Sequence, residues 1–255
     1  MPLFRQEYDC AEWSGPARTY VICSTPRSGS TLLSELFRAT GRLGSPAEYL
    51  NKASLMPRMA RRLGAISPEG MLDLAAYLRG LFRWRTSPNG IFGVKIHFQD
   101  LRPLLQLSSV GTLLRTSRLI WIRRRDVLMQ AISLEIAERT GRWNRALDRV
   151  DEPVPLTWSH TSVARRVGAL LDEDREWQML FEANGLTAHR VDYEDMVADC
   201  EAVAGAAARH AGLADPPNFS LPDAPVGRQR TELNARWRAS YLGAYALPGE
   251  SAPAP

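Results

Sequence analysis

A chain of 255 residues with 45% hydrophobic content can bury a core and is ordinary in size for one α/β unit. Its net charge of +4 and pI near 9.2 suit an anionic ligand but are too mild to argue for nucleic acid, and the basic residues lack the interleaved aromatics of a strand-binding surface. Three scattered cysteines, Cys10, Cys23 and Cys200, form no Cys-x-x-Cys pair or Cys/His cluster for zinc and point to a reduced, cytoplasmic setting, while the charged N-terminus reads as neither a signal peptide nor a membrane span.

After a lead of residues 1–18, the apolar run Tyr20 to Cys23 predicts a strand. Ser24-Thr25-Pro26-Arg27-Ser28-Gly29-Ser30-Thr31 then predicts a tight loop, and Leu32, Leu33 and Leu36 open a helix. Strand, small-residue loop and helix N-terminus together make an anion cradle, with loop amides inward and the helix dipole favouring negative charge. The loop departs from the nucleotide pattern G-x-x-x-x-G-K-[ST]: Ser24 stands at the first glycine and Ser30 at the lysine, and the cation has moved inside the loop to Arg27. On its own the segment is equally readable as a polar turn before a helix.

Further along, Met71, Leu74, Ala75 and Leu78 fall on one helical face, and Pro88-Asn89-Gly90 turns into a strand at Ile91 to Ile96. A third strand spans Leu119 to Ile122, and Asp126 reads as the N-cap of a helix over Val127 to Ala137. Residues 141–159 are irregular, an excursion or lid. Val163, Val167, Leu170, Leu171, Trp177 and Leu180 mark a long helix ending near Asn184-Gly185, Thr187 to Val191 a fourth strand, and Val203, Ala206, Ala207 and His210 a helix stopped at Gly212. Strands separated by helices predict an α/β fold, a central mainly parallel sheet covered on both faces within a single domain of residues 19–245, followed by a disordered tail of residues 246–255. Ligands of such sheets bind beyond the C-terminal strand ends, where both the loop at 24–31 and Arg123, Arg124 and Arg125 fall.

The arginine cluster is the second constellation. A strand runs into three arginines, a helix follows, and Ser133 lies two turns in, so an arginine fork and a serine hydroxyl could grip one phosphate from two sides. Nucleoside triphosphatases often place a magnesium-directing aspartate at this strand end. The alternative is a solvated basic face.

With these segments in view, the chain resembles the Stf0-type family of bacterial sulfotransferases, which includes trehalose 2-sulfotransferase. The resemblance is carried by PRSGSTLLSELFRATG with SPAEYL, by NGIFGVKI, by LIWIRRRDVLMQAIS, and by VDYEDM with the later GRQR, in an order that runs through most of the chain. It implies a P-loop-like three-layer sandwich and a donor, 3′-phosphoadenosine 5′-phosphosulfate, used without a metal. Carried over by position, Arg27, Ser28, Gly29, Ser30 and Thr31 would hold the 5′-phosphosulfate. Arg124, or Arg125, would hold the 3′-phosphate with Ser133, and Arg228 and Arg230 would close over the donor. Glu48, in Gly44-Ser45-Pro46-Ala47-Glu48, would be the general base that takes the proton of an acceptor hydroxyl.

Ser45 replaces an acidic residue expected in the trehalose enzyme. Lys95, one of two lysines in the chain, would offset charge on the departing oxygen with Arg27. His97 reads as a loop or acceptor-pocket residue, and Trp143 and Trp158 as rings able to stack on the acceptor. The reaction expected is in-line transfer of a sulfuryl group to a hydroxyl of a carbohydrate, glycolipid or related metabolite, by a homodimer with no membrane segment and no nucleic-acid partner. The competing classes are a small-molecule kinase or NTPase on the same scaffold and a silent protein that binds the donor nucleotide without transfer.

Overall fold

In a computed structural model, residues 3–141, 143, 156–221 and 232–246 are described. Packing divides the chain into two compact units: Met1–Arg125 with Glu173–Leu221, and Asp126–Asp172 with Pro222–Pro255.

The first unit is built on a parallel four-stranded sheet of order β2-β1-β3-β4, with β1 at Arg18–Ser24, β2 at Ile91–His97, β3 at Arg118–Arg123 and β4 at Ala188–Asp192. Three of the strands were expected from apolar runs, and β4 from the segment Thr187 to Val191. All four extend into charged or polar ends, because ladder hydrogen bonds continue regardless of side chain. Among the described residues, seven α-helices lie wholly in this unit: α1 (Ser30–Ala39), α2 (Leu55–Arg62), α3 (Leu74–Arg85), α4 (Phe98–Leu101), α5 (Ser108–Thr116), α8 (Tyr193–Ala198) and α9 (Cys200–Ala211). Between α5 and α8 the chain forms α6 (Val127–Thr140), in the second unit, and α7 (His160–Ala183), whose residues from Glu173 onward belong to the first.

Alternation along the strands feeds two cores. Val21, Cys23, Phe92, Val94, Ile96 and Leu119 bury against Tyr77 and Leu81 of α3, Val110 and Leu114 of α5, and Trp177 of α7. Tyr20, Ile22, Ile120 and Ile122 point to the other face, which α1 and α9 cover. The sheet thus has helices on both sides, the α/β layering expected from the sequence. The third helix starts at Leu74, one turn later than the periodicity suggests, because Asp73 caps it by accepting from Ala76 N at 2.9 Å. Met71 therefore lies outside the helix and exposed, and Leu171 of α7 is likewise exposed rather than buried with its neighbours. Gly212 ends α9 in the left-handed conformation, as read. The cysteines are free.

Arg85, fully buried, ties the lead to the end of α3: its guanidinium donates to Leu3 O and Tyr8 O, both at 2.7 Å, and pairs with Asp9. Gly93 gives way to a neighbour across the sheet. It pairs with Tyr20, whose ring lies where a side chain at 93 would go and whose Oη donates to Leu43 O at 2.7 Å. A Cβ on Gly93 would sit 2.2 Å from Tyr20 Oη, so Gly93→Ala is expected to lower the urea midpoint at unchanged m, a loss of about 3 kcal/mol.

In the second unit, Asp126 caps α6 by accepting from Met129 N at 3.0 Å. Met129, Ile132 and Leu134 pack with Val163 and Leu170 of α7 and Trp237 of α10 (Glu232–Gly243). The ring of Trp158 lies 5.3 Å from that of Trp237, which places Trp158 in this cluster; Trp143 is exposed. The 141–159 excursion and the C-terminal tail fall largely outside the described residues, and no helix among the described residues is long and apolar enough to cross a membrane.

Candidate active site

The loop after β1 turns through two left-handed residues, Arg27 with φ 63° and Gly29 with φ 93°. Gly29 is required twice over. Its φ suits glycine, and a Cβ there would lie 2.4 Å from the Tyr193 ring at the start of α8. With Gly29 as its N-cap, α1 begins without a side-chain cap, so its first N–H groups face the cradle. Ser28 Oγ is buried and, among the described residues, has no hydrogen-bond partner. A buried, unsatisfied hydroxyl in a ring of small residues, at a helix N-terminus with a cation in the loop, fits an anionic group of phosphate or sulfate shape.

The arginines at the end of β3 divide their labour. Arg123 is drawn to Asp174, 3.1 Å away, and lies over Trp121. Arg125 makes a fork with Asp195 at 2.5 and 3.1 Å, and its backbone N–H donates to Glu194. Arg124 turns toward the loop: its guanidinium lies over the Tyr193 ring, 5.0 Å from the centroid, and Nη1 reaches Arg27 O at 3.5 Å. Tyr193 thus supports Gly29 on one side and Arg124 on the other, a role nothing in its spacing announced; only its position just past a strand end could have drawn attention to it.

Glu48 reaches the site because its segment is pinned to β2. Lys95 N donates to Ala47 O at 3.0 Å, and Gly44, with φ 67°, leaves the space in which an added Cβ would sit 2.7 Å from Arg85 O. Glu48 Oε1 then accepts from Lys95 Nζ at 2.8 Å and contacts His97 Nε2 at 3.1 Å. Lys95 Nζ also donates to Thr31 Oγ1 at 3.0 Å, at the start of α1. His97 Nδ1 lies 2.9 Å from Ser24 Oγ, and Trp177 Nε1 donates to Ser24 O at 2.9 Å. A continuous polar path therefore runs from one end of the loop, Ser24, through His97, Glu48 and Lys95 to the other end, Thr31.

Burial alone would raise the proton affinity of Glu48. The charge of Lys95 and then that of His97, with their hydrogen bonds, overcome it and hold the carboxyl well below the usual range. Two other carboxyls close to His97 behave oppositely: burial pushes Asp100 up to about 6 and Glu173 up to about 7, only partly offset by His97 and, for Glu173, by Arg102 and the Gln99 amide. A raised carboxyl binds its proton more tightly in the folded than in the unfolded chain, so stability falls as pH rises from near 4.5 through about 7. Glu173→Gln should therefore stabilise the protein at pH 8 by up to about 3 kcal/mol and have little effect at pH 4, a contrast that thermal melts at the two pH values would read.

The structure brings Arg27, Ser28, Gly29, Ser30, Thr31, Glu48, Lys95 and Arg124 into the first unit, and places Ser133, buried on α6, in the second. Arg228 and Arg230 lie outside the described residues. Among the described residues no cluster of His, Cys, Asp and Glu is arranged to hold a metal ion.

Comparison with known proteins identifies the family of the chain. The sequence matches the family described as Stf0 sulphotransferase over residues 19–242. It is 25% identical to trehalose 2-sulfotransferase of Mycolicibacterium smegmatis, over 87% of this chain and 93% of that protein. It is 26% identical to trehalose 2-sulfotransferase of Mycobacterium tuberculosis, over 89% and 96%. A solved sulfotransferase domain from the Synechococcus PCC 7002 olefin synthase aligns with a TM-score of 0.49 at 20% identity, covering 95% of this chain and 91% of that one. With the family match spanning nearly all of the sheet, the loop and the segment that carries Glu48, the chain belongs to the Stf0 sulphotransferase family and is a sulfotransferase.

Proposed function

We propose that this sulfotransferase moves the sulfuryl group of 3′-phosphoadenosine 5′-phosphosulfate onto a carbohydrate hydroxyl by direct in-line transfer, without a metal. The observation that carries this reading is the Glu48 carboxylate 2.8 Å from Lys95 Nζ, which in turn reaches Thr31 of the loop at 3.0 Å. A base and a cation are thereby fixed against the anion cradle.

Ser28, Gly29, Ser30 and Thr31 offer amides and hydroxyls to the phosphosulfate, and Arg27 supplies charge within the loop. Arg124, which turns toward the loop, takes the 3′-phosphate. Glu48 takes the proton of the acceptor hydroxyl as the new S–O bond forms, and Lys95 offsets charge on the departing phosphate oxygen. A carboxylate held so far down is a weak base. As Lys95 turns toward the departing oxygen, the charge on Glu48 is less compensated and its proton affinity climbs, so both events share one cation.

The names of the relatives make trehalose the first acceptor to test, and Ser45, where that enzyme is expected to carry an acid, makes other saccharides and glycolipids the next. The three free cysteines suit a reduced, cytoplasmic protein, and a homodimer is the assembly proposed. The test is incubation with the donor and a panel led by trehalose, with and without EDTA, followed by mass spectrometry for an added sulfuryl group. Transfer undiminished by EDTA supports the reading. ATP-dependent phosphorylation that requires magnesium contradicts it.

A further inference from the structure

Counting the partners of Glu48 identifies the atom that does the work. A carboxylate offers roughly four lone-pair directions, two on each oxygen. Oε1 is filled by Lys95 Nζ at 2.8 Å and His97 Nε2 at 3.1 Å. Oε2 accepts from Asn51 Nδ2 at 3.2 Å, and Asn51 is itself held with its carbonyl toward Ala53 N and Ser54 N, at 3.1 and 3.0 Å. One direction is left, on Oε2. The Glu48 side chain keeps 27% of its surface accessible, so that direction can be reached from outside.

The His97 contact works only if Nε2 carries a proton, since a lone pair there would face the carboxylate. In the neutral ring Nδ1 must then accept, and Ser24 Oγ, 2.9 Å away, is placed to donate to it. The other acceptor near Ser24 Oγ, Ile96 O, is farther at 3.3 Å. Ser24 is fixed in turn through its carbonyl by the buried Trp177. His97 is 6% exposed, too buried for this arrangement to be an accident of a surface rotamer. The charged and titratable groups around the ring are Glu48, Lys95 on its own strand, Asp100 on α4 and Glu173 on α7, with Lys52 acting on Asp100.

We propose that His97 is a positioning residue for the base: oriented by Ser24 through Nδ1, its Nε2–H clamps Glu48 Oε1 and leaves Oε2 as the atom that takes the acceptor's proton. The proposal rests on Glu48 being the base. It makes a loop serine part of the catalytic support, because Ser24 ends β1 directly before the cradle. It also gives the site a rigid carboxylate whose plane is set from both oxygens.

The test is ¹³C NMR titration of the glutamate carboxyls in the full-length protein, with Glu48→Gln assigning the resonance. In the wild type Glu48 should titrate below the other glutamates. His97→Ala should move it toward the ordinary range, Ser24→Ala should move it part of the way, and His97→Gln, which keeps an N–H donor, should stay nearer the wild type. Alongside, His97→Ala should lower kcat with trehalose by about 10- to 100-fold, shift the acid limb of kcat to higher pH, and leave binding of adenosine 3′,5′-bisphosphate unchanged. A Glu48 resonance that does not move in the folded His97→Ala and Ser24→Ala proteins overturns the clamp. Wild-type protein that transfers no sulfuryl group, yet shows the coupled titration, overturns the base assignment instead, so the two failures are told apart.

Discussion

Glu48→Gln should reduce kcat by about 10²- to 10⁴-fold while leaving binding of adenosine 3′,5′-bisphosphate within error of the wild type. Glutamine matches glutamate in size, and its Oε1 can still accept from Lys95 and His97, so the segment from Gly44 to Glu48 stays docked on β2 through Ala47 and Lys95. What is lost is the lone pair that takes the hydroxyl proton. The carboxylate is held well below its usual range by Lys95 and His97 against the opposing effect of burial. Its ionised, active form therefore persists through neutral pH, and the wild-type rate should fall only in acid, below where an ordinary glutamate titrates. Rapid-quench measurement of a single turnover, with binding read by calorimetry, separates the two effects. A Glu48→Gln protein of near wild-type turnover would remove Glu48 from its role.

Arg124→Ala should weaken adenosine 3′,5′-bisphosphate by about 2–3 kcal/mol, roughly 30- to 150-fold, as expected for loss of a charged donor to a phosphate. The neighbouring Arg125→Ala is the control. Arg125 is exposed and engaged by Asp195 and Glu194, so its removal should leave nucleotide affinity as it was. Arg124 lies over Tyr193, the same ring that meets Gly29, so the variant also tests whether the far end of the nucleotide is held from the residue that shapes the loop. The difference between the two arginines would show as a change in Kd with 3′-phosphorylated nucleotide and no change with adenosine 5′-phosphosulfate, which lacks that phosphate. Equal losses in both variants would mean that the cluster acts as a diffuse basic surface.

The sequence made some of this site readable and hid the rest for identifiable reasons. The run Tyr20 to Cys23 followed by small polar residues and three leucines could hardly be other than strand, loop and helix, and Gly44-Ser45-Pro46-Ala47-Glu48 singled out one carboxylate among many. Short apolar runs likewise located the first three strands, and Thr187 to Val191 marked the fourth. The contacts that tune Glu48 could not be read in the same way. Ser24 and His97 are 73 positions apart and meet only because β1 and β2 pair in parallel register. Tyr193 is separated from Gly29 by most of the sheet and depends on where β4 delivers the chain. The helices missed, α2, α4, α5 and α8, are four to nine residues long, too short for a periodic pattern to declare itself. Met71 misled because its spacing suited the face of α3, while the cap at Asp73 sets the true start.

The account depends on fixed positive groups that recognise a nucleotide carrying phosphate at the 3′ position and phosphosulfate at the 5′ position. Calorimetric titration of the wild-type protein with adenosine 3′,5′-bisphosphate, and separately with magnesium-ATP, tests this most directly. Saturable binding of the bisphosphate, unaffected by EDTA and much tighter than any response to magnesium-ATP, is the result predicted. Silence toward the bisphosphate together with tight uptake of magnesium-ATP would contradict it.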